Sequence, residues 1–273
     1  MLRRLRPAAL AIAIAAIAAS CATTTSPTGR TQVVGGVSQQ ELNQLGAQAF
    51  AEVKQQKRLS TDARQTREVQ CIVGAITRQL PPNWQSGWES AVFVDPEPNA
   101  FALPGGKVGV YSGIFKVANT QDELAGVIAH EIGHVISRHH EERITRQMGA
   151  QGAVELIGAL LGSRYGAGAQ TAAVQGGGVL AQTGFLLPGS REQETEADVV
   201  GQQLMAQAGF DPRGAVQLWT NMIQATSSSG RPPQWLSTHP NPESRIRELQ
   251  QRAVSLIPVY EQARAAGRRP ACG

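Results

Sequence analysis

The first regular feature of the chain is a periodic pattern of apolar residues that begins near residue 38. Ser38 and Glu41 form a capping box, which predicts a helix running to about Lys57. A second helix is predicted over residues 61–80, where apolar side chains recur every three or four positions and so share one face. Those side chains are Val69, Ile72, Val73, Ile76 and Leu80.

From Trp88 to Val110 the pattern changes to short stretches of alternating and β-branched residues. The segments AVFVD, NAFAL and KVGVY are separated by proline and glycine, which predicts short strands. Thr120 and Glu123 then form another capping box, and the helix that it opens carries apolar residues as far as Ile136. Together these elements predict an α+β domain that is mostly helical and has one small sheet.

The N-terminal end has the layout of an export signal. Residues 1–20 carry three arginines followed by about a dozen residues rich in alanine and isoleucine, an apolar run too short to span a membrane. The residues before Cys21 resemble a bacterial lipobox, in which the cysteine is acylated and becomes the new N-terminus. Ala18 departs from that pattern, which usually has leucine there. Ordinary cleavage and an uncleaved anchor are the alternatives.

Removing this leader also removes the basic character of the chain. Without its three arginines the formal net charge falls from +4 to +1, which argues against a nucleic-acid or membrane partner recognised by charge alone. Residues 21–37 are predicted to be a lipidated N-terminus and a small, polar tether. Residues 38–257 are predicted to form the folded domain, and residues 258–273 a solvated C-terminal tail.

Two cysteines remain besides Cys21. In an oxidising compartment Cys71 and Cys272 can form a disulfide. Cys71 lies in the apolar pattern of the second helix, so a buried free thiol is the alternative. The sequence does not decide between them.

The candidate chemistry lies in HEIGHVISRHH, residues 130–140, which holds four of the five histidines. On a helix, residues four apart share a face, so His130 and His134 can direct their rings at one ion. Glu131 projects about 100° away and lies beside that ion. Zinc accepts neutral imidazole nitrogens and leaves a position for water, from which a neighbouring carboxylate can take a proton. The pattern favours a zinc hydrolase over two unrelated helical histidines.

A catalytic site of this kind needs a third protein ligand, and His140 is the first candidate. It lies where one class of zinc peptidases supplies that ligand. In that class a glycine breaks the helix after the second histidine, whereas here Ser137 lets the helix continue. His139 and His140 are therefore predicted either to lie on the surface or to contact a metal-binding side chain on the side away from the metal.

The second candidate lies in SREQETEADVVGQQL, residues 190–204. Glu194 and Asp198 are four apart on one face, so Glu194 can bind the metal while Asp198 hydrogen-bonds the outer nitrogen of a ligating histidine. Glu192 and Glu196 fall on other faces of the same helix. A solvated acidic helix is the alternative interpretation of this segment.

Four motifs in this order resemble the gluzincin metallopeptidase family that includes HtpX, the CAAX prenyl endopeptidases and the Oma-type mitochondrial proteases. The motifs are NAFALPGGKV, HEIGH, SREQETEADVVG and STHPNPESRI, and the resemblance spans residues 38–255. It implies a zincin-like fold and one zinc ion per chain, bound by His130, His134 and Glu194.

The same resemblance implies roles for three further residues. Glu131 corresponds to the general base of the family, and Asp198 corresponds to its aspartate in the second motif helix. His239 corresponds to a histidine that lies beside the active site and stabilises the negative charge that develops on the substrate oxygen.

One departure from the membrane-embedded members is informative. Those members have transmembrane helices around the catalytic motifs, whereas the Gly/Ala-rich segment 149–189 contains no apolar run of sufficient length. The chain thus resembles the soluble lipoprotein branch, the LoiP-like envelope proteases. The segment is either a mobile lid or a disordered loop.

Taken with the leader, the resemblance implies a periplasm-facing, outer-membrane lipoprotein that is held by a lipid anchor at Cys21. Its expected activity is the hydrolysis of unfolded or misassembled envelope proteins. The alternative is an envelope chaperone or assembly factor whose protease activity is latent.

Overall fold

The structure is a computed structural model. It describes residues 22–149, 190–229, 235–236, 239 and 242–273. The described residues fall into two compact units, one with residues 22–39 and 140–149 and the other with residues 40–139 and those from 190 onward. The predicted signal peptide, Cys21 and the Gly/Ala-rich residues 150–189 lie outside the described part of the chain.

The first unit contains an antiparallel hairpin where the sequence predicted a tether. Strand β1, Ala22–Thr25, pairs with β2, Thr31–Val34. The tether prediction for residues 21–37 is wrong for these two segments, because their β-branched threonines and valines favour extended strands. Gly29, with a φ of 88°, lies in the turn between them. The described part of the chain therefore has two sheets where the sequence predicted one.

Residues 139–149 are helical, and those in the first unit hold the hairpin through side chains. Arg30 donates from Nη1 and Nη2 to the two carboxylate oxygens of buried Glu142, at 3.0 and 2.8 Å. The backbone N–H of Gly35 donates to Glu141 Oε1 at 3.1 Å, and that of Gly36 donates to Thr145 Oγ1 at 3.1 Å. The hairpin is thus fixed within its unit by charged and backbone hydrogen bonds.

The second unit begins with two helices close to their predicted bounds. Helix α1 is Gln39–Gln56 and helix α2 is Ala63–Thr77. Asp62 caps α2, because its Oδ1 accepts from the backbone N–H groups of Arg64 and Gln65 at 2.9 and 3.1 Å. The apolar side chains predicted to share one face of this segment are all buried.

The predicted strands form one mixed sheet. Its strands are β3, Glu89–Phe93, β4, Ala100–Leu103, and β5, Lys107–Tyr111. The spatial order is β3-β5-β4, with β3 parallel and β4 antiparallel to β5. Valines and alanines on these strands belong to the same buried core as the apolar faces of α2 and of the next helix.

That next helix, α3, is Gln121–Ile136 and is buried along most of its length. Thr120 caps it as predicted, with Oγ1 accepting from the backbone N–H of Glu123 at 3.2 Å. The Glu123 carboxylate accepts from the backbone N–H of Asn119 at 2.6 Å. The helix therefore starts at a fixed point and carries the HEIGH motif through the core.

The end of α3 corrects a prediction. The sequence predicted that the helix continues through Ser137, but Ser137 and Arg138 form a turn and helical geometry resumes only at residue 139. Arg138 has a φ of 56°, in the left-handed region that usually favours glycine. The absence of glycine misled the prediction, because here an arginine adopts the conformation that breaks the helix.

Three long helices of the second unit lie among the described residues from 190 onward. They are α4, Arg191–Ala208, α5, Arg213–Ser229, and α6, Pro242–Ala265. Ser190 and Gln193 form a capping box at the start of α4, and Gly209 ends that helix with a φ of 90°. Asp211 precedes α5, and its Oδ1 accepts from the backbone N–H of Arg213 at 2.9 Å.

The C-terminal residues also differ from their prediction. Residues 258–273 were predicted to be a solvated tail, but α6 continues through Pro258 and Cys272 forms a disulfide with Cys71. The backbone N–H of Cys272 donates to Gln121 Oε1 at 2.8 Å. The tail prediction is wrong because this disulfide and this hydrogen bond hold the C-terminus on the second unit. Of the two alternatives for Cys71 and Cys272, the structure shows the disulfide.

The fold class is as predicted, an α+β domain that is mostly helical. None of the helices in the described residues is both long enough and apolar enough to cross a membrane.

Candidate metal centre

The two histidines of the HEIGH motif meet Glu194 in the interior of the second unit. The Nε2 atoms of His130 and His134 are 3.1 Å apart. Glu194 Oε2 lies 3.5 Å from the first of these nitrogens, and Oε1 lies 3.6 Å from the second. With His239, one ligand atom from each of these four residues falls within 4.8 Å of every other. The structure therefore brings together the three predicted ligands and His239.

Close contact between helices α3 and α4 makes this meeting possible. A Cβ added to Gly133 would lie 2.7 Å from the carbonyl oxygen of Ala197, and one added to Gly201 would lie 2.7 Å from that of Ala129. Both distances are far inside normal contact, so only glycine allows the two backbones to come this close. The glycine of HEIGH thus places Glu194 within reach of the two imidazoles.

The donor set fits a metal ion. Two nitrogens bound to one tetrahedral zinc at about 2.0–2.1 Å lie about 3.3 Å apart, close to the spacing of the His130, His134 and Glu194 atoms. Among the described residues Glu194 Oε1 is buried without a hydrogen-bond partner, although a buried carboxylate oxygen ordinarily has one. A cation between these atoms would satisfy this oxygen and both ring nitrogens.

The outer side of His130 contacts a carboxylate, as predicted for Asp198. His130 Nδ1 donates to Asp198 Oδ1 at 2.9 Å. Arg245, on α6, donates to both oxygens of Asp198 at 2.7 Å and to Glu194 Oε2 at 3.0 Å. The guanidinium also lies 4.1 Å from the ring centroid of Trp219. The buried guanidinium thereby holds the carboxylates of Glu194 and Asp198 together.

Neighbouring charges shift the pKa values of Glu194 and His130. Burial raises the pKa of Glu194, but neighbouring His239 and His130 and the Arg245 guanidinium outweigh it and lower that pKa to about 2. Burial and Arg245 lower the pKa of His130, whereas its hydrogen bonds to Asp198 and Glu194 raise it more, to about 9. A metal at Nε2 of His130 would therefore compete with a proton for that nitrogen.

Glu131 points to a different part of the site. Its Oε1 accepts from the indole N–H of Trp235 at 3.0 Å and lies 3.4 Å from His239 Nε2. His239 Nδ1 lies 2.9 Å from the carbonyl oxygen of Trp235. Because a carbonyl only accepts, Nδ1 carries a proton, and in a neutral ring Nε2 is then unprotonated, as a metal ligand must be. His239 can donate from Nε2 only as an imidazolium.

The outer nitrogen of His134 has a different neighbour. Its Nδ1 lies 2.8 Å from Nδ1 of His139, and His139 Nε2 lies 3.1 Å from Glu196 Oε2. His139 is buried behind a ligand, one of the two places predicted for it. His140 is also buried, which excludes the surface alternative predicted for it, and it is not among the residues of the described metal cluster.

Sequence reasoning missed three residues of this site. Glu196 was set aside because it lies on another face of α4, but that face meets His139. Trp235 carries no metal-ligand signal. Arg245 had one available signal, since it precedes buried Leu249 by four positions and so lies on the buried face of α6.

The fold and the site define a class of protein: a metal-dependent peptidase of the zincin type. Residues 63–253 match the model for peptidase family M48, which covers more than half of the chain, and the protein belongs to that family. The resemblance to this metallopeptidase family found in the sequence is therefore confirmed.

Curated relatives carry two different names. The chain is 42% identical over 164 residues to mitochondrial metalloendopeptidase OMA1 of Schizosaccharomyces pombe, a match to 60% of this chain and 46% of that protein. It is 34% identical over 183 residues to OMA1 of Saccharomyces cerevisiae, 64% of this chain and 50% of the relative. It is also 34% identical over 176 residues to the beta-barrel assembly-enhancing protease of Escherichia coli, 61% of this chain and 34% of that protein. The matched region spans half or less of each relative.

Proposed function

We propose that the protein is a zinc metalloendopeptidase of the bacterial cell envelope that hydrolyses unfolded or misassembled envelope proteins. The observation that carries the peptidase assignment is the convergence of His130, His134 and Glu194 with Glu131 beside them. The choice of zinc follows from two imidazoles and one carboxylate, a donor set typical of catalytic zinc sites.

In this proposal His130, His134 and Glu194 hold one zinc ion per chain. When bound, zinc polarises a substrate carbonyl and makes water acidic enough to lose a proton near neutral pH. Glu131 takes a proton from the attacking water and returns it to the leaving amine. Its hydrogen bond from the Trp235 indole fixes the carboxylate in place for both transfers.

His239 and Asp198 support this chemistry from two sides. Asp198 accepts from Nδ1 of His130, which leaves the Nε2 lone pair directed at the metal. His239 Nε2 lies on the side of Glu131, where an imidazolium would stabilise the developing oxyanion. Burial lowers the pKa of His239 by more than the neighbouring Glu194 and Glu131 carboxylates raise it, and a negatively charged reaction intermediate would shift the ring toward its protonated form.

The location and substrates are supported by the leader and by one relative. The leader has an export-signal layout and a lipobox-like end at Cys21, which would anchor the protein to the outer membrane facing the periplasm. The Escherichia coli relative is named for enhancing β-barrel assembly, which agrees with envelope substrates. The other two relatives are named as mitochondrial, so the names alone do not fix the compartment.

The same relative's name also favours the alternative, an assembly factor or chaperone whose protease activity is latent. The two functions separate in the Glu131→Gln variant, because an amide cannot accept the proton from water. An assembly activity that survives in this variant would be independent of proteolysis.

Cleavage of casein by the purified protein tests the peptidase assignment. We expect cleavage that a chelator abolishes and added zinc restores, and we expect Glu131→Gln to lose about 100- to 10,000-fold in rate. Glu261→Gln, the same change at an exposed position of α6, is the matched control and should cleave at the wild-type rate. Chelator-resistant cleavage, or full activity in Glu131→Gln, would reject the assignment.

The anchor is tested by labelling cells with a fatty-acid analogue. We expect the label on the wild type and its absence from Cys21→Ser, which should leave the membrane fraction or remain unprocessed. An unlabelled wild-type protein would refute acylation.

A further inference from the structure

The second ligand histidine differs from the first in what lies behind it. Behind His130 is a carboxylate, whereas behind His134 is another imidazole, with the two Nδ1 atoms 2.8 Å apart. His139 is fully buried and its far nitrogen lies 3.1 Å from Glu196, which is also buried. The three side chains therefore form a line that leads from the metal-facing atoms into the core.

The order of donors and acceptors along this line is determined by its two ends. If Nε2 of His134 binds a metal, Nδ1 carries the ring proton and must donate. His139 Nδ1 must then accept, so the proton of its neutral ring is on Nε2. Glu196 as a carboxylate accepts from that Nε2–H. A ring proton on Nδ1 of His139 would instead oppose two donors at 2.8 Å.

The backbone is bent at the position that makes this line possible. In an uninterrupted helix, residues five apart point about 140° away from each other, so His139 would face away from His134. The turn at Arg138, with its φ of 56°, redirects the chain and places the ring of His139 against that of His134. Left-handed backbone at a non-glycine residue commonly marks a functional constraint.

We propose that His139 and Glu196 are positioning residues that hold His134 in its metal-binding tautomer through two successive hydrogen bonds. This inference rests on the proposed zinc site, and it assigns the break after α3 a role in building that site. Loss of an outer partner of a metal-bound histidine typically lowers metal affinity about 10- to 100-fold.

Imidazole ¹⁵N spectra of the zinc-loaded wild type read the tautomers directly, since the chain has only five histidines. We expect His134 protonated on Nδ1 and His139 protonated on Nε2, with each resonance assigned by its loss in the corresponding variant. A proton on Nδ1 of His139, or on both of its nitrogens, would overturn the proposal.

Zinc affinity, measured by competition with a chromogenic chelator, separates positioning from packing. His139→Leu should weaken zinc binding about 10- to 100-fold, because the N–H of His134 loses its acceptor. His139→Asn should retain most of the affinity, because its side-chain oxygen lies close to the place of Nδ1. A packing role predicts the reverse ranking, with the apolar leucine tolerated better than the polar asparagine.

Glu196→Leu tests the far end of the line, with exposed Glu192→Leu on the same helix as the matched control. We expect weaker zinc binding only in Glu196→Leu. Wild-type zinc affinity in both His139→Leu and Glu196→Leu would reject the positioning role of His139 and Glu196. It would leave the proposed zinc site intact. A wild-type protein that binds no zinc would instead reject the proposed function. If the leucine variants do not fold, the wild-type tautomers decide the question.

Discussion

His130 and His134, the two proposed ligand histidines, are one turn apart on one helix, yet their surroundings differ in charge. The Arg245 flank, formed by Asp198 and Arg245 behind His130, pairs a buried guanidinium with two carboxylates. The His139 flank, formed by His139 and Glu196 behind His134, is a line of hydrogen bonds in which only Glu196 is expected to carry a charge.

The difference teaches how such a site can exist before a metal arrives. Burial raises the pKa of Asp198, but Arg245 lowers it by more, so both carboxylates near that guanidinium stay ionised. The Arg245 flank therefore stabilises the negative charge that a bound metal would need. The His139 flank only orients a ring. We thus expect variants of the Arg245 flank to lower both stability and metal affinity. Variants of the His139 flank should lower metal affinity alone.

Arg245→Met should have the largest effect on stability. Removing the guanidinium leaves Glu194 and Asp198 buried without their cation, which typically costs about 3–5 kcal/mol of unfolding free energy. The loss should be greater in the metal-free protein than with zinc, because zinc supplies positive charge beside Glu194. Denaturant unfolding with and without zinc measures both values. An equal loss of unfolding free energy with and without zinc would mean that zinc does not compensate for the missing guanidinium at these carboxylates.

Arg245→Lys is the control for this prediction, since it keeps the charge and loses the two-pronged geometry. We expect a stability between those of the wild type and Arg245→Met. A lysine variant as unstable as the methionine variant would assign the effect to shape and not to charge.

His239→Ala should have the next largest effect, on turnover and not on metal binding. The imidazole lies against Glu131 and outside both flanks, and loss of one oxyanion donor typically reduces turnover about 100- to 1000-fold. Zinc content and casein cleavage measured on the same preparation separate the roles. Loss of zinc would identify His239 as a ligand, and cleavage near the wild-type rate would leave it without a catalytic role.

The sequence could predict those parts of the site that depend on local helix geometry. His130 with His134, and Glu194 with Asp198, are pairs four residues apart, and that spacing places both members on one face. Arg245 reaches the site from a separate helix, and its approach is decided by the packing of α6 against α4. The spacing to Leu249 indicates that Arg245 lies on the buried face of α6, but no local pattern shows which helix that face contacts.

The turn at Arg138 and the hairpin escaped prediction for opposite reasons. At Arg138 tertiary contacts override the local preference against left-handed backbone, so the residue type misleads. In residues 22–34 the local preference for strands was present, but the small, polar composition suggested a tether. The disulfide was one of two alternatives for Cys71 and Cys272, and the sequence could not choose it because sequence does not show whether two cysteines meet.

Arg138 gives the prediction with the smallest effect. Both Arg138→Gly and Arg138→Ala remove the side chain, so their difference reports the backbone alone. With left-handed geometry, glycine should be the more stable variant by about 1 kcal/mol. If the helix continued through this position, alanine would be the more stable by about the same amount. Unfolding midpoints of the two variants therefore give opposite signs for the two structures.

The central claim is that the two nearby carboxylates have separate tasks. Glu194 binds the metal, whereas Glu131 acts as the general base and does not bind it. Zinc per chain, measured by elemental analysis on Glu194→Ala and Glu131→Gln purified side by side, tests this most directly. We predict one zinc per chain in Glu131→Gln and loss of most of the zinc in Glu194→Ala. Full occupancy in Glu194→Ala, or loss of zinc from Glu131→Gln, would contradict the account.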